Sequence, residues 1–240
     1  MSLNGYSILA IVPARGGSKS ILRKNLAKVC DVSLVGHAGQ VLNQLDWIDA
    51  SIVSTDDNEI AEEGKKHGLD VPFMRPEHLA SDTATSLDMW QHAWQEAENY
   101  YGQQFDISLL IEPTSPLRLP EDIERAAACV AEDGRVAAVT VSKTPAHFTP
   151  HKTLMHDSEG NIAYYIGSDG IKHHNRQSIP DYFHRNGICY AVSRKYLMED
   201  GLILEGAHPV VIDRPIVNID EEIELDMASW LMERQKMEGE

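Results

Sequence analysis

Cysteine is scarce in this chain: Cys30, Cys129 and Cys189 are the only 3, an odd number set far apart. A disulfide framework needs an even set at short spacings and a structural zinc site needs paired ligands, so both are disfavoured. The thiols read as small buried hydrophobes of a reducing compartment. Long apolar runs are also lacking. No stretch approaches the roughly 20 apolar residues of a membrane span. Residues 1–6 show no basic region leading into a long apolar one, so no secretory leader is expected and the protein is expected in the cytoplasm. Positive charge is short as well, with 21 Lys and Arg against 37 Asp and Glu, a formal net charge of −16. That field repels polyanions, which argues against nucleic acid or an anionic membrane as partner and obliges a small anionic substrate to find a local basic pocket. Internal repeats and low-complexity tracts are missing too. What remains is a chain of 240 residues, 42% hydrophobic, long enough for one substantial core.

Its apolar residues fall in an alternating order. Residues 8–12 (Ile-Leu-Ala-Ile-Val) form a short aliphatic run ended by Pro13 and a glycine pair, which predicts a buried strand. Leu34, Val35, Ala38, Val41, Leu42 and Leu45 follow at near-helical spacing. A second strand is predicted at 50–54, then a polar turn with a helix N-cap at 55–58, and a helix to His67 closed by Gly68. The pattern repeats with a helix over 83–99, a strand over 107–111, a helix begun after Pro120 and a strand over 136–141. Strand and helix in alternation predict a parallel sheet with right-handed crossovers, whose chemistry gathers at the carboxyl ends of the strands. Arg15, Asp56 and Glu112 then share one edge. From about 143 to 185 periodicity weakens and Pro, His, Gly, Asn and Tyr become frequent, as expected of an inserted arm, an interface hairpin or a lid. A strand resumes at 187–192, a short one follows at 210–212, and 222–237 reads as an acidic terminal helix.

The stretch Val12-Pro-Ala-Arg-Gly-Gly-Ser-Lys-Ser20 has the composition of a phosphate cradle. It is not a P-loop, because Ser18 stands where the glycine before the lysine is required. Nor is it a dinucleotide fingerprint, because the third glycine is missing. The remaining reading is a longer basic loop in which Arg15, Lys19, Arg23 and Lys24 gather cations for a nucleoside triphosphate whose charge rises as pyrophosphate leaves, with Gly16 and Gly17 letting backbone approach phosphate. A merely solvated basic loop is the alternative. Among the histidines, His147, His151, His173 and His174 lack helical metal-ligand spacing and read as surface or interface residues. Trp90 and Trp94 share one helical face and read as core.

Four further segments accompany that loop and Lys24-Asn25. They are Arg75-Pro-Glu-His-Leu-Ala-Ser-Asp82, Pro113-Thr-Ser-Pro-Leu-Arg118, Arg176-Gln-Ser-Ile-Pro180 with Asn186-Gly187, and Asn218-Ile-Asp-Glu-Glu-Ile-Glu-Leu-Asp226. In this order and spacing the chain resembles the acylneuraminate cytidylyltransferases, the CMP-sialic acid synthetases, over nearly its whole length. The resemblance implies a three-layer α/β/α Rossmann-like nucleotide-diphospho-sugar transferase fold, with a mostly parallel mixed sheet. It implies a single domain over 1–240 with 143–185 as an inserted dimerisation arm or lid, and a homodimer or dimer of dimers. It implies an enzyme that couples CTP to a nonulosonic acid with magnesium, giving a CMP-sugar and pyrophosphate. Arg15, Gly16, Gly17, Ser18, Lys19, Asn25, Arg75 and Ser86 would bind the nucleotide. Lys24 and Arg176 would be catalytic, Arg176 by gripping the sugar carboxylate or stabilising charge rather than as a base. Glu112, Lys152, Gln177 and Tyr190 would meet the acceptor, and Asp220 would be the magnesium ligand, a hard cation taking oxygen donors and keeping several waters. A helix N-terminal carboxylate is the competing role for Asp220.

Several positions depart from the family pattern. Ser20 and Leu22 replace frequent Gly and Pro, and Glu112 replaces a frequent Gln, which points to a different acceptor or a second metal contact. Asn218 replaces a frequent Asp, and Arg185 is displaced by one position with His184 before it. Activation of an octulosonate, use of GTP, or a non-catalytic nucleotide-binding role remain open at this point.

Overall fold

A computed structural model describes residues 3–167 and 179–238. They divide into two compact units, residues 1–140, 186–210 and 214–240 in the first and residues 141–185 and 211–213 in the second.

The first unit is built on a sheet of 6 strands in the order β10-β6-β9-β5-β1-β4. These are β1 (Ile8–Pro13), β4 (Ala50–Ser54), β5 (Ile107–Leu110), β6 (Ala137–Lys143), β9 (Phe183–Ser193) and β10 (His208–Val211). Parallel pairing sets Ile11 of β1 between Ile52 of β4 and Leu110 of β5. On its other side β5 pairs antiparallel with β9, Leu110 opposite Tyr190, so the sheet is mixed. Ile8, Leu9, Ile11, Ile52, Ile107 and Leu109 are fully buried, which is why these strands read as unbroken apolar runs rather than as alternation. The small hairpin of β2 (Lys28–Val29) and β3 (Val32–Ser33) turns through Cys30 and Asp31, both left-handed, and had no signal in the sequence.

Helix starts follow their capping side chains. Ser33 caps α1 (Leu34–Leu42), its Oγ accepting from the Gly36 amide at 3.1 Å. Asp57 caps α2 (Asn58–Lys66), accepting from the amides of Glu59 and Ile60 at 2.8 and 3.1 Å. Thr85 caps α3 (Ser86–Tyr101), and Pro120 opens α4 (Pro120–Ala131). A short α5 (Arg194–Met198) follows β9, and α6 (Glu222–Glu238) ends the described chain. Trp90 and Trp94 lie fully buried on the inner face of α3, and the Trp90 Nε1–H donates to Ser108 Oγ of β5 at 2.8 Å. Cys129 and Cys189 are buried and Cys30 is partly so, all three as free thiols.

Within the second unit, β7 (Leu154–His156) and β8 (Ile162–Tyr164) form an antiparallel hairpin, and Asp157 closes its turn by accepting from the amides of Glu159 and Asn161. A turn of 3-10 helix covers Ala146–Phe148. Among the described residues no group of three or more His, Cys, Asp or Glu could hold a metal ion, and no helix is long and apolar enough to cross a membrane. His173 and His174 lie outside the described residues.

Replacing Trp90 by Ala removes the largest buried contact between α3 and the sheet and leaves Ser108 unpaired. Equilibrium urea unfolding of Trp90→Ala is expected to show a loss of about 3–5 kcal/mol; a loss below about 1 kcal/mol would contradict the packing described.

Candidate active site

The carboxyl ends of β1, β4 and β5 open onto a cleft of about 330 Å³. Six residues singled out in the sequence line it: Arg15, Lys24, Asn25, Arg75, Ser86 and Glu112. They come from the loop after β1, the segment before α3, the first turn of α3 and the loop after β5, elements far apart in the chain that the parallel sheet brings to one edge.

The loop after β1 is tied at successive points. The Ala14 amide donates to the Ser54 carbonyl at 2.9 Å and the Gly16 amide to Asp56 Oδ1 at 2.9 Å. Space at Gly16 is tight, since a Cβ would stand 3.0 Å from both Cβ and Oδ2 of Asp57 and would oblige that side chain to shift. Buried Asn25 donates through Nδ2 to the Arg15 carbonyl at 2.9 Å, closing the loop on itself. Arg23, counted in the sequence with the phosphate cations, faces elsewhere. Its guanidinium binds Asp57 at 3.0 Å and Glu59 at 2.7 Å, at the start of α2. Lys24 faces the cleft and places Nζ 2.9 Å from Asp220 Oδ1 and 3.1 Å from the Ile219 carbonyl. The residue expected to be catalytic and the residue expected to hold metal are thus in direct contact.

Two further cations, Arg15 and Lys19, converge on one carboxylate. Asp82 accepts from Arg15 Nη1 at 3.1 Å and pairs with Lys19 Nζ at 2.5 Å. The Lys19 bond first, and then Arg15, hold the Asp82 carboxyl below the ordinary aspartate range against a smaller opposing effect of burial. The contact therefore persists at neutral pH and is lost as pH falls through that lowered value. Arg75 is buried, with Nε 3.1 Å from Ser54 Oγ and Nη2 bonded to the Ser54 carbonyl. Burial pulls its pKa down to about 10, with Asp56 opposing that shift and Arg15 adding to it. It stays protonated at neutral pH, a positive wall at the base of the cleft.

Across the cleft, Glu112 sits beside Gly187, whose φ is +70° and where a Cβ would lie 2.4 Å from Glu112 Oε2. Only glycine tolerates both that backbone and that approach. Behind them Arg118 is buried and gathers the carbonyls of Glu112, Gly187 and Ile188. Desolvation pulls its pKa down to about 10. Sequence reasoning did not single out Arg118 or Asp82 as functional side chains, although both close quoted segments.

Other sequence-predicted residues lie away from the cleft lining. Gly17 is open, and the Ser18 amide bonds the Gly16 carbonyl. Tyr190 is buried in the middle of β9, and Lys152 belongs to the second unit. Arg176 and Gln177 lie outside the described residues. Asp220 is an exposed carboxylate, and Asn218 in the same segment keeps a buried Oδ1 without a hydrogen-bond partner.

A mixed α/β sheet with a cation-lined cleft at its strand ends is consistent with an α/β nucleotidyltransferase fold. The chain belongs to the cytidylyltransferase family, whose model matches residues 9–224. It is 30% identical over 238 residues to the CMP-N,N'-diacetyllegionaminic acid synthase of Legionella pneumophila, covering 96% of each chain. It is 26% identical over 229 residues to the N-acylneuraminate cytidylyltransferase of Escherichia coli, covering 95% of this chain and 52% of that one. A solved CMP:2-keto-3-deoxy-manno-octonic acid synthetase, complexed with CTP, shares the fold at a TM-score of 0.67 and 17% identity, over 95% of this chain and 99% of that one. The protein is an enzyme of the N-acylneuraminate cytidylyltransferase type, as the motifs imply.

Asp82 occupies the two cations expected from the sequence to meet a triphosphate, so on that expectation it competes with the nucleotide. Asp82→Asn is expected to bind a nucleoside triphosphate about three- to tenfold more tightly by calorimetric titration, the scale of one or two exposed ion pairs; weaker binding would show that Asp82 organises the loop instead.

Proposed function

We propose that the protein transfers CMP from CTP to the anomeric hydroxyl of a nonulosonic acid, releasing pyrophosphate. The observation that carries this is the cleft itself, where Arg15, Lys24, Arg75 and the first turn of α3 surround one end and Glu112 stands at the other. The relatives named for legionaminic acid and N-acylneuraminate support an acceptor of that class. The acceptor hydroxyl loses its proton to solvent as its oxygen attacks the α-phosphorus, a bond to phosphorus forms as the one to the bridging oxygen breaks, and charge grows on the departing pyrophosphate. Fixed cations at that end stabilise the growing charge without reorganisation. In this reading Arg15 and Lys19 leave Asp82 for the phosphates. Lys24, held by Asp220 and the Ile219 carbonyl, keeps its ammonium aimed into the cleft. Gly16, Gly17 and Ser18 provide backbone against the phosphates, and Asn25, Arg75 and Ser86 complete the nucleotide side. Glu112 meets acceptor hydroxyls, with Lys152 and Gln177 as further acceptor-side residues and Arg176 gripping the sugar carboxylate by its planar fork; Tyr190, expected beside the acceptor, is instead buried in β9 and packs in the core. Magnesium, held by Asp220, would supply charge neutralisation on the phosphates. We further propose a cytoplasmic homodimer or dimer of dimers.

Pyrophosphate release from CTP or GTP, measured with magnesium over a panel of legionaminic, N-acetylneuraminic, pseudaminic and octulosonic acids, tests the reading. Turnover is expected with CTP and one or more of the nine-carbon acids, and no release from CTP with any of them would overturn it. Lys24→Met should lower kcat by about 100- to 1,000-fold, the cost of deleting one preorganised charge donor. Asp220→Ala should abolish magnesium-dependent turnover while the protein stays folded by circular dichroism; near-normal turnover in either variant contradicts its role.

A further inference from the structure

Helix α6 is apolar on two faces, and the core accounts for one. Leu225, Ala228, Leu231 and Met232 pack against a cluster that includes Val29, Leu117 and Ile219. The other face presents Ile223, Met227, Trp230 and Met237, which are 60%, 49%, 57% and 71% exposed. With Arg234 these positions fall alternately four and three apart along a helix of 17 residues, the spacing of a helix–helix seam. Scattered surface hydrophobes need no explanation, but a continuous stripe of large ones marks a contact. A groove of about 740 Å³ runs beside the stripe, walled by Leu119, Pro215, Trp230, Leu231 and Arg234.

We infer that α6 is an interface for a second copy of this chain, its helix laid antiparallel on the first across a twofold axis at Trp230. The ends of the stripe, Ile223 and Met237, are equidistant from that residue, and Met227 falls opposite Glu233. Antiparallel pairing sets Ile223 against Met237 of the second copy and Trp230 against Trp230. The charges choose the same orientation. Glu222, Glu224 and Asp226 crowd the first turns, whereas Arg234 lies towards the other end, 5.5 Å from the Trp230 ring. Antiparallel helices bring Asp226 opposite Arg234 twice, once on each side of the axis, while parallel helices would align three carboxylates with their own copies. Because a twofold contact uses the same patch on both partners, one self-complementary stripe is sufficient. Trp230, the one aromatic of the stripe and still 57% exposed, is the anchor each copy contributes. This interface uses α6 and the groove walls at Leu119 and Pro215, and draws no residue from 141–185.

Sedimentation velocity at matched concentrations should show the assembly mass falling by half from wild type to the double variant Met227→Glu, Trp230→Glu, with the thermal unfolding midpoint kept within a few degrees. An unchanged mass overturns the inference. As a second measurement that leaves no charge on the helix, Trp230→Cys under mild oxidation should form a disulfide-linked dimer at least tenfold faster than Tyr100→Cys, which is 63% exposed on α3 and has no such partner face. Equal rates would mean random collision and would overturn it.

Discussion

The site depends on how firmly the loop after β1 is tied to its surroundings. Three main-chain or amide bonds, from Ala14 to Ser54, Gly16 to Asp56 and Asn25 to Arg15, fix its path. Two ion pairs, Arg23 with Asp57 and Lys24 with Asp220, then fasten its far end to α2 and to the segment before α6. An unanchored loop carrying this much positive charge would splay, because like charges repel. Here each repulsion is offset by a carboxylate fixed on a neighbouring element, so that Arg15, Lys24 and Arg75 share one small cleft.

That arrangement reconciles a net charge of −16 with binding of an anion. Carboxylates of the surrounding elements are not only surface charge; Asp56, Asp57, Asp82 and Asp220 each engage the loop. Asp82 differs from the others in binding the two residues proposed to meet phosphate, and it is half exposed, so it can be displaced at small cost. Arg75 and Arg118 have no such freedom. Both are buried with carbonyl partners, Arg75 in the cleft lining and Arg118 bonded to the backbone of Glu112.

Much of this was legible in the sequence, for identifiable reasons. Strands β1, β4 and β5 are buried on both faces, so they stand out as aliphatic runs with boundaries that match to within a residue. Capping residues Ser33, Asp57 and Thr85 mark helix starts, although α3 begins at Ser86, a turn later than the periodicity of 83–99 implied. Strand β9 runs from Phe183, further than the predicted 187–192, because its first residues are exposed and carry no apolar signal. Its antiparallel direction is a matter of tertiary pairing and leaves no trace in composition. The β2–β3 hairpin has two residues per strand, too few for any periodicity. Within the site, the gathering of Arg15, Asn25, Arg75, Ser86 and Glu112 follows from motif order and strand ends. The turning of Arg23 to Asp57 and the pairing of Asp82 with Lys19 depend on side-chain geometry across the fold, which spacing cannot encode.

The central claim is that the loop after β1 and the segment ending at Asp82 form a single nucleotide site, with Asp82 as the placeholder for phosphate. A crystal structure of the protein with CTP and magnesium tests it most directly. The triphosphate should lie on Arg15 and Lys19, with Asp82 turned away from both and the base towards Ser86. CTP bound elsewhere, or bound here with Asp82 still paired to Lys19, would contradict the account.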